Sequence, residues 1–542
     1  MIVLLATIPL IVAIIMLAVL QRSGLQSGLA TVAAAIALVL LVPSFRLGPL
    51  SIGQALGQGA ATSLTVLYVL FPALLLYQVQ RATGCIDVLA RAIARLCPDR
   101  EVQVLLLVLG LAPFVESASG FGVGTVVVIP MLMGLGMDAL QAATLGLMGQ
   151  LAVPWGGLAV GISLGAQLTG IDANTLGAYI ALLTVPITIG FGMAALAFSG
   201  GRKRLLRLWP AALLGGLVLA AGEWFFSQTP GAELAGVLAS IPVILLLAAW
   251  GHLAARRSSA QANQRDGETG LAPVLQANQR DGETGLTPVL QANQPGSGPV
   301  KDRMEADQTR ASLVSTSYNA MLGAIGPYML LVALLLVSRL VRPVQNWLQA
   351  QAILSEPGIG LHFQLIYNPG FYVLLAALAA AILPGATLEQ FRVALWRTVR
   401  QFTPGALAIV CFLAASQIMN DSGMIAVIGA AAAAPGSGYI WIAPWLGAIG
   451  GWLTGSNAGS NAMLAQLQRA VSIRAGLPLY WLMAAQSGAA SIATMVSPAR
   501  TVLATTTCGI LGKEGRLLRL LGPLVLLSVL AIAVLFFTVY NL

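Results

Sequence analysis

Apolar stretches close to 20 residues long, the length a helix needs to cross a bilayer, recur from Met1–Leu20 to the run at 519–541. No other feature constrains the fold as strongly. The chain of 542 residues is 58% hydrophobic and only 9% charged, against about 25% charged in soluble domains. Its mean hydropathy is +0.86. A surface built from such a chain cannot face water, so lipid must be its main solvent. The expected fold is an all-α integral membrane protein with roughly 12–14 transmembrane helices plus re-entrant or broken pieces, since some runs are too short to cross. Met1–Leu20 has no basic residue ahead of it and is followed by Arg22. It reads as a first spanning helix rather than a cleaved signal.

The net charge is +9. The polar stretch Arg256–Ser317 is balanced, so the excess sits on the loops of the membrane part. The basic clusters Arg202–Arg207, Arg256–Arg257, Arg392–Arg400 and Lys513–Arg519 then mark the cytoplasmic side. The turn Gln228–Glu233 carries no basic residue and belongs outside. Nucleic-acid binding has no support. Four scattered cysteines and two histidines give no metal-ligand spacing, and no nucleophile–base pair stands out. Both points argue against an enzyme and predict no cofactor.

The polar gap holds a direct repeat: Gln261–Leu275 and Gln276–Leu290 differ only at Ala272 and Thr287. It has no core-forming pattern and reads as a disordered cytoplasmic linker over 256–317. The linker divides a first membrane half, 1–255, from a second, 318–542. Each half carries one Gly/Ser-rich break in an apolar run, PFVESASGFGVGT at 113–125 and LTGSNAGSNA at 453–462. Behind each break lies a polar residue within an apolar run, Gln150 in the first half and Gln486 in the second. Two interrupted segments at corresponding places in two halves point to a carrier built from paired repeats, with its substrate site where the breaks meet.

A broken helix leaves backbone groups unpaired, which hydrocarbon tolerates only where protein or a wet cavity supplies partners. The freed N–H groups at a half-helix N-terminus suit a carboxylate. Ser117, Ser119, Gly120, Thr454, Ser456, Asn457, Ser460 and Asn461 add small or donor-bearing positions, and Gln150 and Gln486 join them as candidate lining residues. The bland reading of the same sequence is close helix packing, because Gly120/Gly124 and Gly455/Gly459 have GxxxG spacing. Glu116 follows a long apolar run, where a charge costs about 2.5–3.5 kcal/mol. A carboxylate that changes protonation with access side is a means of coupling a proton, and Glu116 is the candidate for it. Arg500 is a candidate clamp for a substrate carboxylate or a partner for Glu116; an interfacial position fits it equally well. Glu223 reads as interfacial, near the outer turn.

At these residues the chain resembles the lactate permease family, carriers of L-lactate and glycolate in a larger ion-transporter superfamily. The carrying segments are Thr83–Arg100, Phe114–Gly122, Gly134–Leu145, Trp452–Gln468 and Met495–Arg519. The resemblance implies two inverted repeats and proton-linked uptake of a small 2-hydroxymonocarboxylate. It departs from the family where Ser456–Asn457 replaces Ser-Asp, where Thr494 replaces Lys, and where Arg500 replaces a neutral polar residue. A lysine lost and an arginine gained nearby could keep a carboxylate clamp. The expected function is therefore a secondary transporter in the plasma membrane, with a small carboxylate as partner and the proton gradient as driving force. A sodium-coupled carrier of another anion and an ion antiporter stay open as alternatives, and a homodimer is compatible with the sequence.

Overall fold

The computed structural model describes residues 1–268 and 321–542, apart from Gln21, Phe121, Pro384 and Gly385. It is almost entirely helical. Ten helices among the described residues are long and apolar enough to cross a membrane, and a further pair, Met424–Ala432 and Gly436–Thr454, meets at 105°. One of the ten contains the 54-residue helix Ala173–Phe226, about 80 Å long at the usual rise and so twice a crossing. It bends at Gly201, whose φ of +66° falls in the left-handed region beside the basic cluster Arg202–Arg207. The expected loop between two spans is thus a kink. With that helix counted as two crossings and the bent pair as one, the described residues hold about twelve, within the 12–14 expected. Val123–Gly134 and Ala139–Met148 form helices of only 12 and 10 residues, too short to cross, as expected of broken or re-entrant pieces.

The linker differs at its start from the expected disorder. Helix Ala232–Glu268 runs on through Arg256 into the first repeat copy. Between Ala254 and Arg265 the chain is mostly Ala, Gln, Arg and Ser, with neither Gly nor Pro to stop a helix. The rest of the repeat lies outside the described residues. A second departure is a small antiparallel hairpin, Ile353–Glu356 with Leu361–Gln364, where only helices were expected.

Two successions of elements place the site. In the first half Ala112–Ser119 and Val123–Gly134 flank a break. Helix Ala139–Met148, a tight turn Gln150–Trp155 and helix Gly156–Thr169 follow. In the second half Ala443–Thr454 and Asn457–Ala475 flank a break. Helix Leu479–Ala493, a tight turn Thr494–Val496 and helix Pro498–Thr507 follow. The last helix of each succession packs on the post-break helix of the other: Gly156–Thr169 on Asn457–Ala475, and Pro498–Thr507 on Val123–Gly134. This reciprocal crossing brings the two breaks together. Around them, helix Pro49–Ala82 packs along Leu388–Asp421, which also covers Gly24–Leu41. The segment Val102–Leu109 leading to the first break is buried throughout, so that break lies deep in protein rather than in lipid.

Candidate functional site

Each break is made by glycine. Gly120 (φ +71°) and Gly122 (φ +80°) turn the chain between Ser119 and Val123, and Gly455 (φ +65°) does so after Thr454. At these angles a side chain is strained. The close-packing reading holds as well. A Cβ on Gly124 would strike the Ala112 carbonyl, and one on Gly459 would meet Thr454 at 2.7 Å, so these glycines let the two arms of each break lie close.

Glu116 is 1% exposed and Arg500 7%. Glu116 Oε1 accepts from the Gly122 N–H at 3.0 Å and Oε2 from the Gly124 N–H at 3.3 Å. The chain's own carboxylate therefore occupies the N-terminus of the first post-break helix, a place expected to suit a substrate anion. Arg500 Nη1 lies 3.4 Å from Glu116 Oε1, and Arg500 Nε donates to the Gly455 carbonyl at 3.4 Å. One guanidinium thus spans both breaks. Of the readings left open for Arg500, the structure has the partner of Glu116 and not the interfacial residue. Ser497 fixes its place: its Oγ accepts from the Arg500 N–H at 3.3 Å and starts helix Pro498–Thr507.

These groups line a cavity of about 760 Å³, together with Gly120, Thr454, Gly455, Ser456, Asn457 and Gly459. It extends to Arg22 and Gln401, which are exposed. Arg22 and the neighbouring Arg400 cluster belong to the side that charge bias assigns to the cytoplasm. At its deep end lies the N-terminus of Asn457–Ala475, capped by Ser456, whose Oγ accepts from the Gly459 N–H at 3.3 Å. Asn457 is 3% exposed, and neither polar atom of its side chain has a hydrogen-bond partner. Its amide meets the bare face of Gly161 across the cavity wall. A buried donor–acceptor pair without partners, a helix N-terminus and a guanidinium together suit a small anion carrying a hydroxyl.

Six of the expected lining residues are set back from the cavity. Ser119 donates to the Val115 carbonyl, and Gln150 to Thr125 Oγ1. Ser460 donates to the Gly447 carbonyl. Asn461 binds the Gly161 carbonyl and Ser487, and Gln486 donates to Asn461 Oδ1 at 2.8 Å. Ser117 faces Gly236, away from the cavity. Most of these hold helices together rather than face a ligand. Gln150 and Gln486 are also not counterparts: Gln150 opens a tight turn, and Gln486 sits within helix Leu479–Ala493. Gln401, which accepts from Gln78 at 2.9 Å, and Gly156 and Gly161 line the cavity without having been singled out. The signal for Gln401 was a polar residue in a helix that is apolar beyond it. Beside Gly120, Gly157, Leu158 and Ala159 are all left-handed, a costly turn for the last two.

Gly122 gives a direct test of this packing. A Cβ there would collide with the Arg500 guanidinium and would sit at a left-handed φ, at about 1–2 kcal/mol. Gly122→Ala is expected to push Arg500 off Glu116 and to lower transport by about tenfold or more, 1.4 kcal/mol being a factor of ten. The protein should still reach the membrane at normal levels, checked by quantifying it in isolated membranes alongside uptake.

A sequence model of the family described as L-lactate permease matches residues 2–279 and 345–542. The L-lactate permease of Bacillus subtilis (strain 168) is 24% identical over 550 residues, covering 95% of this chain and 91% of that protein. The glycolate permease GlcA of Escherichia coli (strain K12) is 26% identical over 536 residues, with 95% and 91% covered. The L-lactate permease of the same strain is 26% identical over 549 residues, with 95% and 92% covered. Among solved structures, the YdaH transporter of Alcanivorax borkumensis aligns over 80% of this chain and 84% of its own at 16% identity. Its TM-score of 0.33 is too low to define this fold.

Proposed function

The chain belongs to the L-lactate permease family, and from that premise we propose that it carries L-lactate or glycolate across the plasma membrane together with a proton, by exchanging the partner of Arg500. The observation that carries the reading is the buried Arg500–Glu116 pair in the cavity wall, 3.4 Å apart.

The argument is one of charge. A bare ion buried in a membrane protein is costly, and removing one member of a buried pair costs about 3–5 kcal/mol. In the empty carrier Arg500⁺ and Glu116⁻ neutralise each other. An incoming carboxylate competes for the guanidinium, helped by the amides that begin helix Asn457–Ala475, while the Asn457 side chain is placed to pair with its 2-hydroxyl. Once Arg500 serves the substrate, Glu116 has lost its counter-charge. It then takes up a proton, and the site is neutral again. The empty pair and the fully loaded site are both neutral, whereas anion without proton or proton without anion leaves a net charge. Only the two neutral states cross readily, which ties one proton to one carboxylate. The residues assigned are Glu116 for the proton and Arg500, Asn457, Ser456, Thr454 and Gly120 for the substrate. The proton gradient is the energy source.

The test is uptake of labelled L-lactate and glycolate into proteoliposomes containing only this protein. An inward proton gradient without sodium is expected to drive accumulation, and a protonophore to abolish it. Accumulation that requires a sodium gradient and ignores the proton gradient would replace this reading with the sodium-coupled one.

A further inference from the structure

Glu223 was expected at the membrane interface but is buried in protein, 1% exposed, and its Oε1 has no hydrogen-bond partner. It precedes the outer turn Gln228–Glu233 by about one and a half helical turns, roughly 8 Å along the axis. Among the described residues no ion pair includes it. The acid of the adjacent turn, Glu233, is committed to Arg339 at 3.4 Å. Glu116 differs in this respect, since it has Arg500.

The surroundings of Glu223 lead toward Glu116. Gly222 packs on Ala239, which sets the helix ending at Phe226 antiparallel to the one beginning at Ala232. One turn on from Glu223, Ser227 Oγ accepts from the Trp155 indole at 3.0 Å. Trp155 and Ser117 both sit against Gly236, and the Ser117 hydroxyl has no partner. Ser117 adjoins Glu116 in sequence but points to the side away from the cavity. Buried polar side chains, Ser227, Trp155 and Ser117, thus lie between the outer turn and the back of the site, with Glu223 near the first and Glu116 beside the last, and of the two carboxylates only Glu116 has an ion-pair partner among the described residues.

We propose that Glu223 is a second proton-carrying carboxylate, loaded from the outer side and discharged past Ser117 toward the cavity at Glu116, so that each carboxylate substrate enters with two protons. This rests on proton symport through Glu116 and adds to it. The bookkeeping is simple: one anion and two protons move one net positive charge inward per cycle, and the proton on Glu223 leaves as it came. The exchange at Glu116 and Arg500 alone moves none.

The experiment uses the full chain in proteoliposomes with a potassium diffusion potential, inside negative, imposed by valinomycin on top of a fixed proton gradient. Wild-type accumulation of L-lactate is expected to rise with the potential, by up to about 50-fold per 100 mV for one charge. Glu223→Gln, which keeps size and hydrogen bonding, is expected to accumulate substrate from the proton gradient but to lose the response to potential. Glu223→Asp should retain part of it. Wild-type uptake that is driven by the proton gradient yet indifferent to potential overturns the second proton and leaves symport through Glu116 standing. A Glu223→Gln carrier with the wild-type response to potential likewise reduces Glu223 to a packing role. Should the wild type show no proton-driven uptake at all, the reading of Glu116 fails first. If Glu223→Gln does not reach the membrane, direct counting of protons per lactate in the wild type decides: two supports the proposal and one overturns it.

Discussion

Glu116→Gln is expected to abolish accumulation of L-lactate down a proton gradient while leaving exchange of substrate for substrate in place. In the loaded state the variant resembles the wild type, because a glutamine stands where a protonated glutamate would, and Arg500 is neutralised by the substrate. The loaded carrier can therefore still cross in both directions. The empty state is different. Arg500 then has no counter-charge in a site where both groups are almost fully buried, and the loss of one member of such a pair costs about 3–5 kcal/mol. That penalty slows the return of the empty carrier by roughly 10²–10⁴-fold, 1.36 kcal/mol being a factor of ten. Net uptake requires that return and exchange does not. The measurement pairs gradient-driven uptake with counterflow in the same proteoliposomes, across a range of pH. A variant with the wild-type pH dependence of accumulation would remove Glu116 from the coupling. A variant that loses counterflow as severely as uptake would show that its role is in holding the site together.

The sequence announced the parts of this site that break a rule of membrane helices. A glutamate after a long apolar run, an arginine far from its basic neighbours and two glycine-rich interruptions are costly unless something compensates them. The structure brings Glu116, Arg500 and both interruptions to one cavity. What it could not announce was phase. Ser117 and Glu116 are neighbours in the chain, yet one faces Gly236 and the other the cavity, because each residue of a helix turns by about 100°. Counting residues from break to polar residue paired Gln150 with Gln486. The post-break helices have 12 and 19 residues, so equal spacing did not mean equal place. Hydropathy registers an apolar run and not its path, so short pieces such as Val123–Gly134 and Ala139–Met148 could be expected from their length, but not placed beside the first break. Gln401 was missed because it contributes to the cavity from helix Leu388–Asp421, outside both break-containing successions.

The ability of Arg500 to change partner predicts that its loss weakens binding and, because Glu116 then keeps its proton throughout, removes coupling as well. In Arg500→Gln, Glu116 can stay neutral by holding its proton, and it keeps the N–H groups of Gly122 and Gly124. The empty site is then neutral and should be well tolerated, so the variant is expected to fold and to resist heat about as well as the empty wild type. What it lacks is the guanidinium. Each hydrogen bond from a charged group contributes about 1.5–3 kcal/mol, so even one lost contact to the substrate carboxylate predicts roughly 10–100-fold weaker binding, and the loss of a two-pronged contact more. Lysine at this position restores the charge but not the fork. Its Nζ must also serve a carboxylate without the second hold that Arg500 Nε has on the Gly455 carbonyl. Arg500→Lys should therefore bind more weakly than wild type and more tightly than Arg500→Gln, with accumulation that still follows the proton gradient. The check is the thermal shift produced by L-lactate and glycolate on each purified variant, set beside counterflow at rising substrate concentration. Wild-type half-saturation in Arg500→Gln would mean that the carboxylate is held by the amides at Asn457 alone. In that case the exchange of partners could not be what ties the proton to the substrate.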